Sequence, residues 1–184
     1  ILGLVGSEMC IRDRSESEWM SSLMRPSKTL SAALALLGSW VVFLTIVNLF
    51  IGAYSEGKKV LWIDFFSGTR DPSTTEMAFV MDDALFGLVG LLLIGLGARG
   101  LNKIHDSGFV GWLTGLPSCI SESLLSSDRG ATKMVSSWLV AIGVLFYVLW
   151  SAMENTWVDP GVYSVSAVLV SFGVGIGLLE EAEN

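Results

Sequence analysis

Charged residues are scarce in this chain of 184 residues, and hydrophobic residues are abundant. Asp, Glu, Lys and Arg together make up 16% of the sequence, whereas a typical soluble domain contains about 25%. Hydrophobic residues make up 52%, and the mean hydropathy is +0.61. Much of the chain is therefore predicted to lie in a lipid bilayer rather than in water.

The residue types that most often build cofactor and metal sites are also scarce. The sequence has one His and two Cys, too few for a haem held by paired histidines or a Cys/His zinc cluster, and the two Cys are too far apart for a C-x-x-C redox pair. The net charge is −7, and no basic stripe is present to neutralise phosphates. We expect no cofactor, no metal and no nucleic-acid partner.

The N-terminal segment resembles a sequencing artefact rather than a protein family. Residues 7–14, SEMCIRDR, are similar to the translated sequencing-adapter tail at the ends of some metagenomic gene predictions. The short apolar run before them lacks the length and the cleavage site of a signal peptide. We expect residues 1–19 to be a non-native, disordered tail, and residues 20–184 to form a single four-helix transmembrane domain that starts at Met20 or Met24.

Four hydrophobic runs are each close to the roughly 20 residues needed to cross about 30 Å of hydrocarbon. They cover residues 29–54, 77–98, 134–152 and 162–179. Buried helices of a soluble bundle are the alternative, but such helices keep a polar face, and these runs have almost none. The sequence predicts an all-α fold, an integral membrane four-helix bundle made of two hairpins.

Local signals mark the starts of two of these spans. Ser73 and Glu76 have the spacing of a capping box before the second span. Asp159 and Pro160 predict an N-cap followed by a first-turn proline at the start of the fourth span.

The distribution of Lys and Arg predicts the orientation. Six bases lie on the side of the termini and of the connection between the second and third spans: Arg25, Lys28, Arg99, Lys103, Arg129 and Lys133. The opposite side has three: Lys58, Lys59 and Arg70. Because cytoplasmic loops carry an excess of Lys and Arg, we expect a multi-pass protein of the cell membrane with both termini in the cytoplasm.

The two longer connections contain apolar segments. Residues 60–66, VLWIDFF, are too apolar for a free loop and too short to cross, so we expect them in the membrane interface or folded back over the bundle. Between the second and third spans, Phe109, Trp112 and Leu116 recur at helical spacing, which predicts an interfacial amphipathic segment. That segment either anchors the connection at the membrane surface or recognises lipid.

Small residues recur at the spacing that lets membrane helices approach closely. Gly173 and Gly177 form a GxxxG motif in the fourth span, and Ser31, Ala35 and Ser39 have the same spacing in the first. These faces serve either the internal bundle or an interface with a second copy or a membrane-protein partner.

A weak internal similarity relates the two predicted hairpins. SWVV at residues 39–42 matches SWLV at 137–140, and FGLVG at 86–90 is similar to FGVG at 172–175. Either the hairpins arose by duplication, or the likeness is chance similarity between apolar segments.

Two carboxylates lie inside a predicted span. Asp83 shares a helix face with Gly87, Gly90 and Gly97, so we expect Asp83 to point into the bundle. Asp82 is turned from it by about 100° and is expected to reach the headgroups.

Asp83 belongs to a group of polar residues near the outer leaflet. Asn48, Asp83 and Tyr147 are predicted to lie at a similar shallow depth, with Glu154 above them. No Lys or Arg within the spans can pair with Asp83, so we expect a proton, a cation or a hydroxyl to satisfy it. In the structural alternative, the carboxylates mark the start of a helix, and Asn48 and Tyr147 are hydrogen-bond partners.

The sequence favours a non-catalytic membrane component that lies in the lipid bilayer and packs against itself or a partner. The alternative is a small oligomeric transporter or channel-like protein that handles protons or cations through the acidic cluster. We do not expect an enzyme, because no intramembrane Ser/His pair, Asp-rich metal motif or histidine base is present.

Overall fold

The computed structural model describes residues 27–68, 71–125 and 131–183. The predicted tail at residues 1–19 lies outside the described residues. In chain order the elements are α1 (Lys28–Phe50), a 3-10 turn (Ser55–Gly57), β1 (Lys59–Val60), α2 (Trp62–Ser67), β2 (Ser73–Thr74), α3 (Met81–Ile104), α4 (Gly108–Leu125), α5 (Ala131–Glu154) and α6 (Pro160–Glu183).

Four of these helices, α1, α3, α5 and α6, are long and apolar enough to cross a membrane. Each has 23 or 24 residues, which corresponds to about 35 Å at a rise of 1.5 Å per residue. Large apolar side chains such as Leu92 and Leu179 are exposed along them. The prediction of an all-helical protein with four helices able to span a membrane is confirmed, and these helices are compatible with a multi-pass membrane protein.

The starts of the spans differ in how well local signals predict them. Asp159 caps α6 as expected, because its Oδ1 accepts hydrogen bonds from the backbone N–H groups of Gly161 at 2.6 Å and Val162 at 3.1 Å. The capping box predicted before the second span is wrong. Ser73 and Thr74 form a strand that pairs antiparallel with Lys59 and Val60, and α3 begins only at Met81.

Helices α1 and α3 run antiparallel in close contact. A Cβ atom at Gly97 would lie 2.5 Å from the backbone nitrogen of Ala35 and 2.6 Å from the carbonyl oxygen of Ser31. At Gly90, a Cβ would lie 3.1 Å from the carbonyl oxygen of Gly38. The small residues therefore let the two backbones touch, which is how helices associate in lipid, where burying apolar surface brings little gain.

Two members of the predicted small-residue stripes lie less centrally in this contact. A Cβ at Gly87 would lie 3.3 Å from Thr45 Cγ2, a tight contact with a side chain rather than with the backbone of α1. Ser39 is exposed, and its hydroxyl donates to the carbonyl of Ala35 in its own helix. Gly38 occupies the contact in place of Ser39.

Helices α5 and α6 form the second close pair, and the GxxxG motif serves it. The Ser136 hydroxyl donates to the carbonyl of Gly173 at 2.7 Å. A Cβ at Gly173 would lie 2.7 Å from the Ser136 carbonyl oxygen, and one at Gly177 would lie 2.9 Å from Ser136 Oγ. Of the two uses open to this motif, the described structure assigns it to packing within the chain.

The similarity between the two pairs does not extend to their register. The sequence match equates Gly87 with Gly173 and Thr45 with Gly143. Gly87 faces Thr45, whereas Gly173 faces Ser136, two helical turns away from Gly143. The matched segments therefore meet at different levels, which favours chance similarity over duplication.

The two connections 51–80 and 155–159 lie at the same end of the molecule, which we call the loop end; the opposite end carries α4. At the loop end the connections meet directly, because the backbone N–H of Val158 donates to the carbonyl of Ala53 at 3.0 Å. The main cluster of buried apolar side chains also lies there, and it includes Leu44, Val60 and Trp157.

Helix α4 joins the two pairs at the other end. It is one continuous helix that contains Pro117, and it contacts both α3 and α5.

Candidate functional site

The segment after α1 folds back over the loop end, as one of the two sequence-based alternatives expected. The chain turns at Gly52, whose φ of +84° belongs to the left-handed region. A Cβ there would lie 2.3 Å from the carbonyl oxygen of Gly57, so the turn requires glycine. This brings Val60 and Trp62 into the interior, where both are buried.

Asn48, at the last turn of α1, holds this segment in place through its fully buried amide. Its Oδ1 accepts from the backbone N–H of Val60 at 2.7 Å and from that of Ala53 at 3.4 Å. Its Nδ2 donates to the carbonyl of Val60 and to Asp83 Oδ1, both at 2.9 Å. The amide therefore pairs with Val60 as a neighbouring strand would, and it links α1 to α3.

Asp83 forms a buried ion pair with Lys59. The distance from Lys59 Nζ to Asp83 Oδ2 is 2.5 Å, and both side chains are 0% exposed. The Lys59 ammonium also donates to the carbonyl of Ala78. The prediction that Asp83 has no basic partner is wrong. Lys59 lies outside the predicted spans, in the connection between α1 and α3, and it reaches Asp83 because that connection folds inward.

The remaining bonds of Asp83 tie it to the start of its own helix and to the connection. Its Oδ2 accepts from the backbone N–H of Val80 at 3.2 Å, which caps α3. Its Oδ1 accepts from Trp62 Nε1 at 3.3 Å as well as from Asn48. The Trp62 ring stacks on Phe86 with 3.8 Å between ring centroids.

Asp82 is buried rather than at the headgroups, so its predicted position is also wrong. Its Oδ2 accepts from the backbone N–H of Trp62 at 2.7 Å, and the residue is 6% exposed. Its Oδ1 is buried without a hydrogen-bond partner in the described part of the chain. The cluster of Asn48, Lys59, Trp62, Asp82 and Asp83, called the latch below, thus has two carboxylates and one ammonium group.

Tyr147 belongs to a different cluster, between α5 and α6. The hydroxyls of Tyr147 and Tyr163 both donate to the carbonyl of Trp157, at 2.5 and 2.8 Å. The Tyr147 ring packs edge-on against Trp40, with 4.9 Å between centroids. Trp40, near the middle of α1, therefore joins α1 to α5. Glu154 is exposed at the end of α5.

Of the four residues predicted to form a proton or cation site, the structure joins two. Asn48 and Asp83 are in direct contact, Tyr147 lies in the second cluster, and Glu154 is in neither. The residues missed were Lys59 and Trp62. The apolar composition of residues 60–66 was the available signal, because a segment that folds inward takes its neighbouring lysine with it.

The latch is arranged to hold the connection, with most polar atoms satisfied by other protein groups. No group of three or more His, Cys, Asp and Glu side chains that could hold a metal ion occurs among residues 27–68, 71–125 and 131–183. No protein-family model, curated protein or solved structure matches this chain.

Proposed function

We propose that this protein is a non-catalytic component of the cell membrane that packs laterally against a second copy or another membrane protein. In this proposal the two close helix pairs are transmembrane hairpins, and α4 lies in the membrane interface. The observation that carries the proposal is a second small-residue face on α6, separate from the face that packs on α5.

This free face consists of Ala167, Ser171 and Gly175, at steps of four residues. Ala167 and Ser171 are exposed, and a Cβ at Gly175 would meet no atom within 4 Å. Steps of four small residues are the pattern through which membrane helices associate. The internal contact with α5 uses Gly173 and Gly177 instead, so the free face is available for a second helix.

The proposed orientation has both termini and α4 in the cytoplasm. Lys59 is one of the three bases on the loop side, and its charge is buried in the ion pair with Asp83. The cationic charge that the loop end presents to its surroundings is thus smaller than the residue count suggests, which supports the assignment of that end to the outside.

Cysteine cross-linking tests the lateral contact. In a chain with Cys10 and Cys119 replaced by Ser, Ser171→Cys is expected to give a disulfide-linked dimer, or a link to a partner, in native membranes under oxidation. Adding Gly175→Leu should abolish the link, because a large side chain prevents close approach.

The matched control for that test is Gly95→Leu. Gly95 is also a mid-helix glycine with open space around its expected Cβ, but it lies on α3. Gly95→Leu should leave the link intact. Absence of any link through Ser171→Cys, or equal loss with both leucines, would contradict the proposal.

Ion or proton handling at the loop end is the second candidate, and one atom favours it. A cation or proton at the buried Asp82 Oδ1 would satisfy an oxygen that the described residues leave without a partner. The ion pair of Lys59 with Asp83 weakens the case, because it supplies the positive charge that a cation would otherwise bring.

The melting temperature across added Na⁺, K⁺ and Ca²⁺ tests this candidate. Ion binding predicts a stabilisation of the wild type that Asp82→Asn removes, because a ligand that binds only the folded state raises stability. The same dependence in wild type and variant would exclude Asp82 as the site.

A further inference from the structure

A cavity of about 500 Å³ lies between α4, α5 and α6. This size is within the roughly 300–1,000 Å³ of known ligand sites. Its walls include Ile120 and Leu124 from α4, Val140, Ala141 and Leu145 from α5, and Val174 from α6. The cavity is therefore bounded mainly by apolar side chains from three helices.

Three serines line the cavity, Ser123, Ser136 and Ser137, and two of their hydroxyls are engaged elsewhere. Ser123 donates to the carbonyl of Ile120 at 2.8 Å, and Ser136 donates to the carbonyl of Gly173 at 2.7 Å. Neither hydroxyl has its proton free to donate to a ligand. The other seven lining residues are apolar, so the walls fit an occupant that is apolar along most of its length. In a protein that spans a bilayer, the nearest such molecule is a lipid acyl chain.

A cation lies beside this cavity on the same helix face. Lys133 precedes the lining residues Ser136, Val140 and Val144 by three, seven and eleven positions, which places all four on one side of α5. Lys133 is in the first turn of α5, where the helix dipole also favours an anion.

Lys133 has its charge available for a ligand. It is half-buried, and no ion pair involving it occurs in the described part of the chain. Long basic side chains near helix ends extend toward the membrane surface, which is where the phosphate of a phospholipid lies.

We propose that this cavity holds one acyl chain of an anionic phospholipid whose phosphate binds Lys133. The apolar walls account for the chain, and the unpaired lysine accounts for the anionic headgroup. The cavity lining takes only Val174 from α6 and includes none of Ala167, Ser171 and Gly175, which form the proposed lateral contact.

Native mass spectrometry of the detergent-purified full chain, with added phosphatidylglycerol or phosphatidylcholine of equal chain length, tests the site. We expect the first bound phosphatidylglycerol to be retained about five-fold more tightly, equivalent to the roughly 1 kcal/mol that one basic residue contributes near an anionic surface. Lys133→Gln should reduce this preference to none. Lys103→Gln, which removes an exposed lysine at the end of α3, is the matched control and should keep it.

Variants that fill the cavity test the binding of the acyl chain separately from the binding of the headgroup. Ala141→Phe should weaken the binding of both lipids. Leu145→Trp, at a half-exposed position, is the second variant, to be used if Ala141→Phe fails to fold, and the same result is expected for it. Equal retention of the two lipids by wild type, or equal effects of Lys133→Gln and Lys103→Gln, would overturn the proposal. Undiminished binding of phosphatidylglycerol by a folded variant with a filled cavity would also overturn the proposal, because the headgroup would then bind without an acyl chain in the cavity.

Discussion

The two connections at the loop end join their helix pairs by different interactions. The longer one, residues 51–80, is held by a buried ion pair between Lys59 and Asp83 and by the amide of Asn48. The shorter one, residues 155–159, is held by two tyrosine hydroxyls that share one carbonyl, that of Trp157. One connection thus depends on paired charge and the other on neutral hydrogen bonds and packed rings.

The difference has an energetic consequence. Removing one partner of a buried ion pair leaves an uncompensated charge, which costs about 3–5 kcal/mol. Removing one of two hydroxyls that donate to the same carbonyl leaves that carbonyl with a partner, and a single neutral hydrogen bond contributes about 1 kcal/mol. The longer connection is therefore expected to be much more sensitive to single substitutions than the shorter one.

The largest effect is predicted for Lys59→Met. The substitution leaves Asp83 buried without its cation, so the free energy of unfolding in mixed detergent micelles should fall by about 3–5 kcal/mol. Lys58→Met is the control, because the neighbouring Lys58 is partly exposed and pairs with Glu56 only at 3.7 Å; it should change stability by less than about 1 kcal/mol. Equal losses in the two variants would show that the ion pair does not stabilise the connection.

A double variant sharpens the same comparison. Lys59→Met combined with Asp83→Asn removes both charges, so it should recover part of the stability that Lys59→Met loses. The recovery is expected to be partial, because the amide group of Asn replaces one acceptor oxygen among several donors. A double variant as unstable as Lys59→Met would assign the loss to packing rather than to charge.

The next largest effect is predicted for Gly97→Leu, in the contact between α1 and α3. Its side chain would meet the backbone of Ala35, so the free energy of unfolding should fall by about 1–3 kcal/mol, the usual cost of overpacking. Gly95→Leu, two residues earlier and facing open space, should be nearly neutral in the same assay. Comparable destabilisation by both would indicate that a leucine is unfavourable at either position of α3 and that the contact with α1 is not the cause.

The shorter connection should respond weakly to single changes and strongly to a double one. Tyr147→Phe and Tyr163→Phe are each expected to cost about 1 kcal/mol. The double variant leaves the buried carbonyl of Trp157 without either hydroxyl, so it should cost more than the sum of the two. Strictly additive losses would show that the two hydroxyls do not share this acceptor in solution.

Much of the fold follows from the sequence because length and hydropathy determine the spans. The cap at Asp159 and the shared depth of Asn48 and Asp83 were also predictable, since both depend on positions along one helix. The partner of Asp83 was not, because Lys59 reaches it only after the connection folds inward. Helix periodicity says which face a side chain occupies on its own helix and does not say what a loop brings to that face.

The same limit applies to α6, where the sequence alone does not distinguish the packing roles of Gly175 and Gly177. Their surroundings differ: a Cβ at Gly177 would lie 2.9 Å from Ser136 Oγ, and one at Gly175 would meet nothing within 4 Å. The two glycines are two residues apart, about 200° around the helix, so they cannot both face α5. We therefore expect leucine at Gly177, and not at Gly175, to disrupt the contact with α5.

The smallest effect on stability is accordingly predicted for Gly175→Leu. In purified monomer, its free energy of unfolding should stay within about 0.5 kcal/mol of wild type, as for surface positions generally, whereas Gly177→Leu should lose about 1–3 kcal/mol against α5. Phe172→Leu, at an exposed position, is the control for a change on the lipid side. Equal destabilisation by Gly175→Leu and Gly177→Leu would mean that both faces of α6 are buried within one chain. The free face proposed for a second helix would then not exist.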